Sequence, residues 1–126
     1  MRLLPEEFVQ EFHEIFGAPI GVEPTQSVTA LRQKLIDEEV AELNEEFTNV
    51  FRTGTITPNF IKEMADLQYV LSGLAITYGI DLNKAVERVH ESNMSKLADG
   101  KPLLREDGKI LKGPNYFEPD MTDLVP

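Results

Sequence analysis

Apolar residues recur at helical spacing near the start of the chain. Pro5 suits the first turn of a helix, and Gly17 followed by Pro19 is typical of a helix end. Most apolar positions between them are three or four residues apart, which places them on one helical face: Phe8, Phe12, Ile15 and Phe16. This pattern predicts a short amphipathic helix.

Two longer helical segments follow. Thr25 or Ser27 can cap the first of them, which is rich in Leu, Glu, Ala, Lys and Gln and continues to about Val50. A glycine and three threonines then interrupt the pattern. Pro58 suits the first turn of the next helix, which we expect to end near Gly79.

A fourth helix and a short tail complete the predicted fold. Asp81 can cap this helix, which we expect to reach about Leu97. Beyond it, turn signals are too closely spaced for another helix, and Leu103-Leu104 and Ile110-Leu111 flank an Asp-Gly pair that favours a hairpin. We therefore predict an all-α fold, a bundle of four to five helices with a C-terminal hairpin or irregular arm.

Size, charge and the absence of cysteine exclude several classes of protein. A chain of 126 residues suits one domain, here with a helical core at about 5–97 and a basic tail at about 98–119. A formal net charge of −10 disfavours binding to nucleic acid through a broad basic face. Without cysteine, the chain has no disulfide, thiolate zinc site or catalytic thiol.

The sequence also contains no recognisable membrane or export segment. Its longest fairly apolar stretch, Tyr69 to Ile80, is too short to span a bilayer. The first residues become acidic before an apolar signal-peptide core could form. We therefore expect a soluble, cytoplasmic protein.

Two pairs of carboxylates form the main candidate site. Glu39 and Glu42 lie three residues apart in the second predicted helix, and Glu63 and Asp66 have the same spacing in the third. Residues three apart project from the same side of a helix, so each pair can share one ion. The spacing alone is weak evidence in a chain with 22 acidic residues, so the faces on which the pairs lie must decide.

These carboxylates fall on faces that otherwise pack. In the second helix the apolar stripe of Val28 and Leu35 continues as acidic residues, and Glu63 falls within an apolar face of the third. Carboxylates brought together out of water repel unless a cation neutralises them, and oxygen ligands favour Mg²⁺ or Mn²⁺. Alternatively, the acids of the second helix only solvate it, paired with Lys34 or Arg32 one turn away.

A basic segment follows the fourth helix. Residues 96–112 carry five basic and three acidic side chains, which suits contacts with a metal-bound polyphosphate. Asn93 and Lys96, one turn apart at the helix end, are ligand candidates. Tyr116 and Phe117 can stack on a base, or instead cover the end of the bundle.

Taken together, four motifs resemble the all-α nucleoside triphosphate pyrophosphohydrolases. This superfamily includes MazG, phosphoribosyl-ATP pyrophosphohydrolase and the MazG-like dimeric dUTPases. The order of the motifs is more specific than any one of them, and the resemblance covers roughly residues 31–119. The motifs are Glu38-Glu39-x-x-Glu42, Glu63-x-x-Asp66-Leu67-x-Tyr69, His90-Glu91-Ser92-Asn93-Met94-Ser95-Lys96 and Gly108-Lys109-x-Leu111-Lys112-Gly113-Pro114-Asn115-Tyr116.

The resemblance implies an oligomeric, MazG-like helical bundle that uses Mg²⁺ to cleave a nucleotide between its α and β phosphates. It implies that Glu38 is the base that activates or orients water. The residues implied to bind the metal are Glu39, Glu42, Glu63 and Asp66. Those implied to contact phosphate or sugar are Asn93, Lys96 and Lys112, with Tyr116 a further candidate for substrate binding.

Substrate and assembly remain open between alternatives. The tail after Leu97 is longer than a minimal phosphoribosyl-ATP pyrophosphohydrolase needs, which favours a free (deoxy)nucleoside triphosphate such as dUTP or a non-canonical dNTP. The alternatives are phosphoribosyl-ATP as substrate and a non-catalytic helical module that binds nucleotides. Wide apolar stripes on the helices favour a homodimer, with a tetramer as the alternative.

Overall fold

Four α-helices make up most of the structure, a computed structural model that describes residues 4–126. A two-stranded hairpin and a short 3₁₀ helix at Thr122–Leu124 follow them. This arrangement confirms the predicted all-α fold with a C-terminal hairpin. The helices are α1 (Pro5–Phe16), α2 (Gln26–Thr53), α3 (Pro58–Tyr78) and α4 (Leu82–Met94), and the strands are β1 (Leu103–Leu104) and β2 (Ile110–Leu111).

Side chains immediately before three of the helices satisfy their first backbone amides. Thr25 accepts from the amide of Val28 at 3.3 Å, which identifies Thr25 rather than Ser27 as the cap of α2. Thr57 and Asp81 have the same role before α3 and α4.

The ends of α2 and α4 differ from the expected positions. α2 continues three residues beyond Val50, until Gly54 adopts a left-handed conformation with φ 68°. α4 ends at Met94, three residues before Leu97, where the backbone amide and the hydroxyl of Ser95 both donate to the carbonyl of Ser92 in the last turn.

The described chain forms two compact units, divided between Ile80 and Asp81. In the first unit, α3 packs against both α1 and α2. Val9 and Ala75 are the only fully buried apolar side chains among residues 4–126, while Phe16 and Phe51 are largely exposed. The first unit therefore leaves much apolar surface uncovered.

In the second unit, the tail is bound along the end of α4. The hydroxyl of the buried Ser92 donates to the Phe117 carbonyl at 2.7 Å, and the Phe117 amide donates to Ser95 at 3.1 Å. The Gly113 amide donates to the carbonyl of Lys96 at 2.8 Å. These bonds hold residues 113–117 beside the last turn of the helix.

An ion pair fixes the last residues of the same unit. Arg88 of α4 donates to both carboxylate oxygens of Asp123, and this contact lowers the pKa of Asp123 to about 2. The tail thus ends in an ordered 3₁₀ turn.

No helix in residues 4–126 combines the length and apolarity needed to cross a membrane.

We predict that Gly113→Ala releases the tail from α4. A Cβ at this position would lie 2.6 Å from the carbonyl oxygens of both Lys96 and Leu97, so the backbone must separate. Such overpacking typically costs about 1–3 kcal/mol of folding stability. Hydrogen exchange at the amides of residues 113 and 117 measures the release directly.

The matched control is Asn115→Ala, because Asn115 is exposed in the same turn. Equal protection of these amides in wild type and in Gly113→Ala would contradict the assigned role of the glycine.

Candidate metal centre

Four carboxylates converge where α2 lies beside α3. One oxygen from each of four side chains lies within 4.8 Å of the other three, and the four residues are Glu39, Glu42, Glu63 and Asp66. Each helix contributes two of them, three residues apart, so both pairs project toward the same space. The two predicted pairs therefore form a single cluster.

The oxygens of this cluster lack enough hydrogen-bond donors. Glu63 is only 5% exposed, and its Oε2 atom has no hydrogen-bond partner among residues 4–126. The Oε2 atom of Glu39 is also buried without a partner in this part of the chain. A buried acceptor without a donor is destabilising, and a cation bound by these carboxylates would reduce that cost.

The neighbouring Glu42 carboxyl and burial change the acidity of Glu63. A hydrogen bond with the Glu42 carboxyl, followed by burial and by repulsion from Glu42, raises the pKa of Glu63 above its ordinary value. Lys62 opposes this effect. The first unit therefore holds more negative charge at this point than its own donors neutralise.

Lys62 supplies the positive charge that the chain itself brings to the cluster. Its Nζ atom donates to Asp66 Oδ2 at 2.7 Å and lies 3.5 Å from Glu63 Oε1. The contact with Asp66 raises the pKa of Lys62, so its charge is retained. Sequence reasoning did not identify this residue, although its position four residues before Asp66 is typical of a helical ion pair.

The donor set fits a hard divalent cation. All four groups offer carboxylate oxygens, the ligands that Mg²⁺ and Mn²⁺ prefer. Two of the side chains retain unpartnered buried oxygens, as expected where a cation belongs. The residues present are therefore chemically suited to the predicted ion.

Glu46 lies on the same helix as two cluster residues but has a different role. It is buried, and its Oε1 atom accepts from the Asn59 side chain at 2.5 Å. One residue further along each helix, Phe47 contacts Phe60 edge to face, with ring centroids 5.5 Å apart. These contacts fix the end of α2 against the start of α3 and so help to position the cluster.

The other predicted site residues lie outside the cluster. Glu38 is exposed on α2, immediately before Glu39. Asn93 is exposed in the last turn of α4, and Lys96 is half-buried just beyond it. These positions lie in different units, Glu38 in the first and the other two in the second.

The remaining two predicted residues contact each other in the tail. The Lys112 ammonium lies 4.7 Å from the centroid of the half-buried Tyr116 ring, a cation–π contact. The bond from the Gly113 amide to the Lys96 carbonyl anchors this part of the tail at the end of α4.

Arg32 and His13 are buried polar residues that sequence reasoning did not place in a site. Arg32 is 9% exposed, and among residues 4–126 it forms no salt bridge, in contrast to the suggested pairing with an acid of α2. A signal was present, because Arg32 follows Val28 by four residues and so lies on the apolar stripe. Both residues line a cavity in the first unit.

Comparison with protein families gives a match over most of the helical part of the chain. A family model described as phosphoribosyl-ATP pyrophosphohydrolase matches residues 9–93. The matched range contains the whole carboxylate cluster and ends at Asn93, whereas Lys96, Lys112 and Tyr116 lie beyond it. A search of curated proteins found no match.

We predict that Glu63→Gln stabilises the metal-free protein at neutral pH and removes its response to Mg²⁺. Because the folded chain holds the Glu63 proton more tightly than the unfolded chain, the stability from this group is complete below the ordinary pKa of 4.5. It is lost as the pH rises through the raised pKa. Melting temperatures with Mg²⁺ or with EDTA, across this pH range, measure both effects.

Glu45→Gln is the matched control, since Glu45 is an exposed acid of α2 outside the cluster. An undiminished Mg²⁺-induced rise in Tm in Glu63→Gln would show that the ion binds elsewhere.

Proposed function

Because the chain belongs to the phosphoribosyl-ATP pyrophosphohydrolase family, within the all-α MazG-like superfamily, we propose that it hydrolyses a (deoxy)nucleoside triphosphate. Membership makes the protein a nucleotide pyrophosphohydrolase, a hydrolase acting on phosphoric anhydride bonds. The proposed cleavage lies between the α and β phosphates and yields a nucleoside monophosphate and pyrophosphate. dUTP and non-canonical dNTPs are the proposed substrates.

The carboxylate cluster is the observation that supports this reaction most directly. Hydrolysis of a triphosphate requires that the charge on the phosphoryl oxygens be neutralised. Four carboxylate oxygens within 4.8 Å of one another, two of the side chains keeping an unpartnered buried oxygen, suit the cation that such a substrate brings. We therefore assign Mg²⁺, with Mn²⁺ as a substitute, to Glu39, Glu42, Glu63 and Asp66.

Bound there, a divalent cation would polarise the phosphoryl oxygens and lower the pKa of a coordinated water. Glu38 is the proposed base, because it is an exposed carboxylate directly beside Glu39 and can accept a proton from the attacking water. Lys62 would keep its charge at the edge of the cluster.

The residues proposed to contact phosphate and sugar belong to the second unit. Lys96 and Lys112 offer ammonium donors to phosphate oxygens, and the Asn93 amide can donate to phosphate or sugar. Tyr116 offers a ring for substrate binding while Lys112 lies over it. The backbone bond between Gly113 and Lys96 keeps the two lysines in one region of this unit.

Phosphoribosyl-ATP is the second candidate substrate, and the family match favours it. The matching family is described by that activity, over residues that include the entire cluster. Both candidates undergo cleavage of the same anhydride bond, so the carboxylates have the same role in each case. The substrates differ in base and sugar, since phosphoribosyl-ATP also carries a second, phosphorylated ribose on its adenine.

A homodimer in the cytoplasm completes the proposal. The exposed apolar side chains of α1 include Phe8, Ile15 and Phe16, which are 50%, 69% and 70% exposed. Burial of such a surface against a second copy would supply the apolar core that one copy lacks. The absence of cysteine suits a reducing compartment.

We predict that Ile15→Glu dissociates the proposed dimer. Because Ile15 is largely exposed, a charge there should leave the fold of one copy intact but oppose burial at an interface. Analytical ultracentrifugation should show twice the chain mass of 14.2 kDa for the wild type and the mass of one chain for the variant.

Glu14→Gln is the control. It removes a charge at an exposed position on the same helix without burying one, and the variant should keep the wild-type mass. A wild-type mass of 14.2 kDa at every concentration would contradict the dimer, and four times that mass would indicate a tetramer.

We predict that Glu39→Gln and Asp66→Asn each lower turnover by more than about 100-fold, because loss of a ligand costs more than loss of its outer partners. The helical content should be unchanged. The assay measures pyrophosphate release with Mg²⁺ from the common NTPs and dNTPs and from phosphoribosyl-ATP, with product identification and an EDTA control. Glu45→Gln is the matched variant and should retain full activity.

Normal turnover in both cluster variants would remove the metal assignment. Release from phosphoribosyl-ATP alone would replace the proposed substrate with the second candidate. No release from any of these nucleotides by folded protein would contradict the hydrolytic reaction for all of them.

A further inference from the structure

A partly open cavity of about 220 Å³ lies among the three helices of the first unit. Apolar and aromatic side chains form most of its wall, including Phe12, Leu35, Tyr69 and Val70. Sites for drug-sized ligands measure roughly 300–1,000 Å³. This cavity is therefore suited to one flat ring system rather than to a whole nucleotide.

Arg32 gives this apolar cavity a buried donor that has no acceptor in the described chain. The side chain lines the cavity and is 9% exposed, and its buried Nε atom has no acceptor within residues 4–126. The Nη1 atom lies close to the backbone of Gly73, 3.1 Å from where a Cβ would stand. A buried guanidinium is normally paired, and a ligand in the cavity could supply the acceptor that this one lacks.

His13 provides an acceptor in the same wall. Its Nδ1 atom lies 2.8 Å from the carbonyl oxygen of Pro19, which can only accept, so Nδ1 carries the proton. In the tautomer with its single proton on Nδ1, the ring offers Nε2 as an acceptor. That atom lies 3.6 Å from the Cβ position at Gly73, beside which Arg32 also lies.

We propose that this cavity binds the base of the substrate and selects bases with a lactam edge. Such an edge carries a ring carbonyl next to a ring N–H. Arg32 would donate to the carbonyl oxygen, and Nε2 of His13 would accept from the N–H. Hypoxanthine, guanine, uracil and thymine carry this edge. Adenine and cytosine present an amino group next to a ring acceptor, which places donor against donor and acceptor against acceptor.

The position of the cavity relative to the carboxylate cluster supports this role. This step rests on the proposed function, in which the cluster binds the phosphates of the substrate. Leu35 precedes Glu39 by one helical turn on α2, and Val70 follows Asp66 by one turn on α3. A turn rises about 5.4 Å. One nucleotide can therefore reach from phosphates at the cluster to a base beside Arg32 and His13.

Paired substrates test the selection without altering the protein. ITP and ATP differ only at the edge in question, and so do dUTP and dCTP. We expect the wild type to favour ITP and dUTP in kcat/KM by about 10-fold or more, the range that one well-formed pair of base contacts supplies. Calorimetric binding of the non-hydrolysable α,β-imido analogues of ITP and ATP with Mg²⁺ should show the same preference.

Substitution of Arg32 then assigns the preference to this side chain. Arg32→Met should bring both ratios close to unity, mainly by weakening ITP and dUTP. Arg32→Lys retains the charge but loses the bidentate guanidinium donor, so it should recover only part of the preference. Arg52→Met is the matched control, because Arg52 is an exposed arginine at the far end of α2.

Each outcome separates this inference from the proposed function. EDTA-sensitive hydrolysis with equal rates within each pair would overturn base selection and leave the reaction intact. If Arg32→Met lowered kcat/KM equally for all four substrates, or changed the oligomeric state, Arg32 would have a structural role and the inference would be overturned. Preferred binding of the ITP analogue without hydrolysis of any nucleotide would support base selection and contradict the reaction. Equal binding of the two analogues would overturn base selection even if Arg32→Met did not fold.

Discussion

Repulsion among carboxylates is the constraint on which the arrangement of α2 and α3 depends. Four negative groups are held within a few ångströms of one another, and Glu63 among them is almost fully buried. Bringing these groups together costs stability, so other contacts must hold the two helices together. The Phe47–Phe60 contact and the bond from Asn59 to Glu46 supply that support. The packing around the cluster therefore offsets the strain of assembling it.

Most of the fold was predictable because local signals and tertiary structure agree. Thr25, Pro58 and Asp81 mark helix starts by local chemistry, and the same signals operate in the folded chain. The end of α4 was not predictable, because the residues just beyond it bind the distant tail: the Lys96 carbonyl accepts from the Gly113 amide. No local pattern records a bond between distant residues.

The candidate site was also predictable only in part. Helical spacing brought each carboxylate pair together, and the apolar stripes indicated that both pairs face the packing surface. The cavity with Arg32 and His13 was not foreseen, because a lone arginine on a helix is usually solvated. Its burial results from the packing of α1 and α3 around it, which depends on three segments of chain at once.

The placement of Lys62 has a consequence for how the cluster would respond to its ion. Its ammonium group already contacts both Asp66 and Glu63, so an incoming divalent cation would have to displace it from these two carboxylates. Part of the electrostatic attraction is thereby spent in displacing the side chain, which lowers the net affinity for the ion. Occupancy of the site would then require a higher concentration of the free divalent ion.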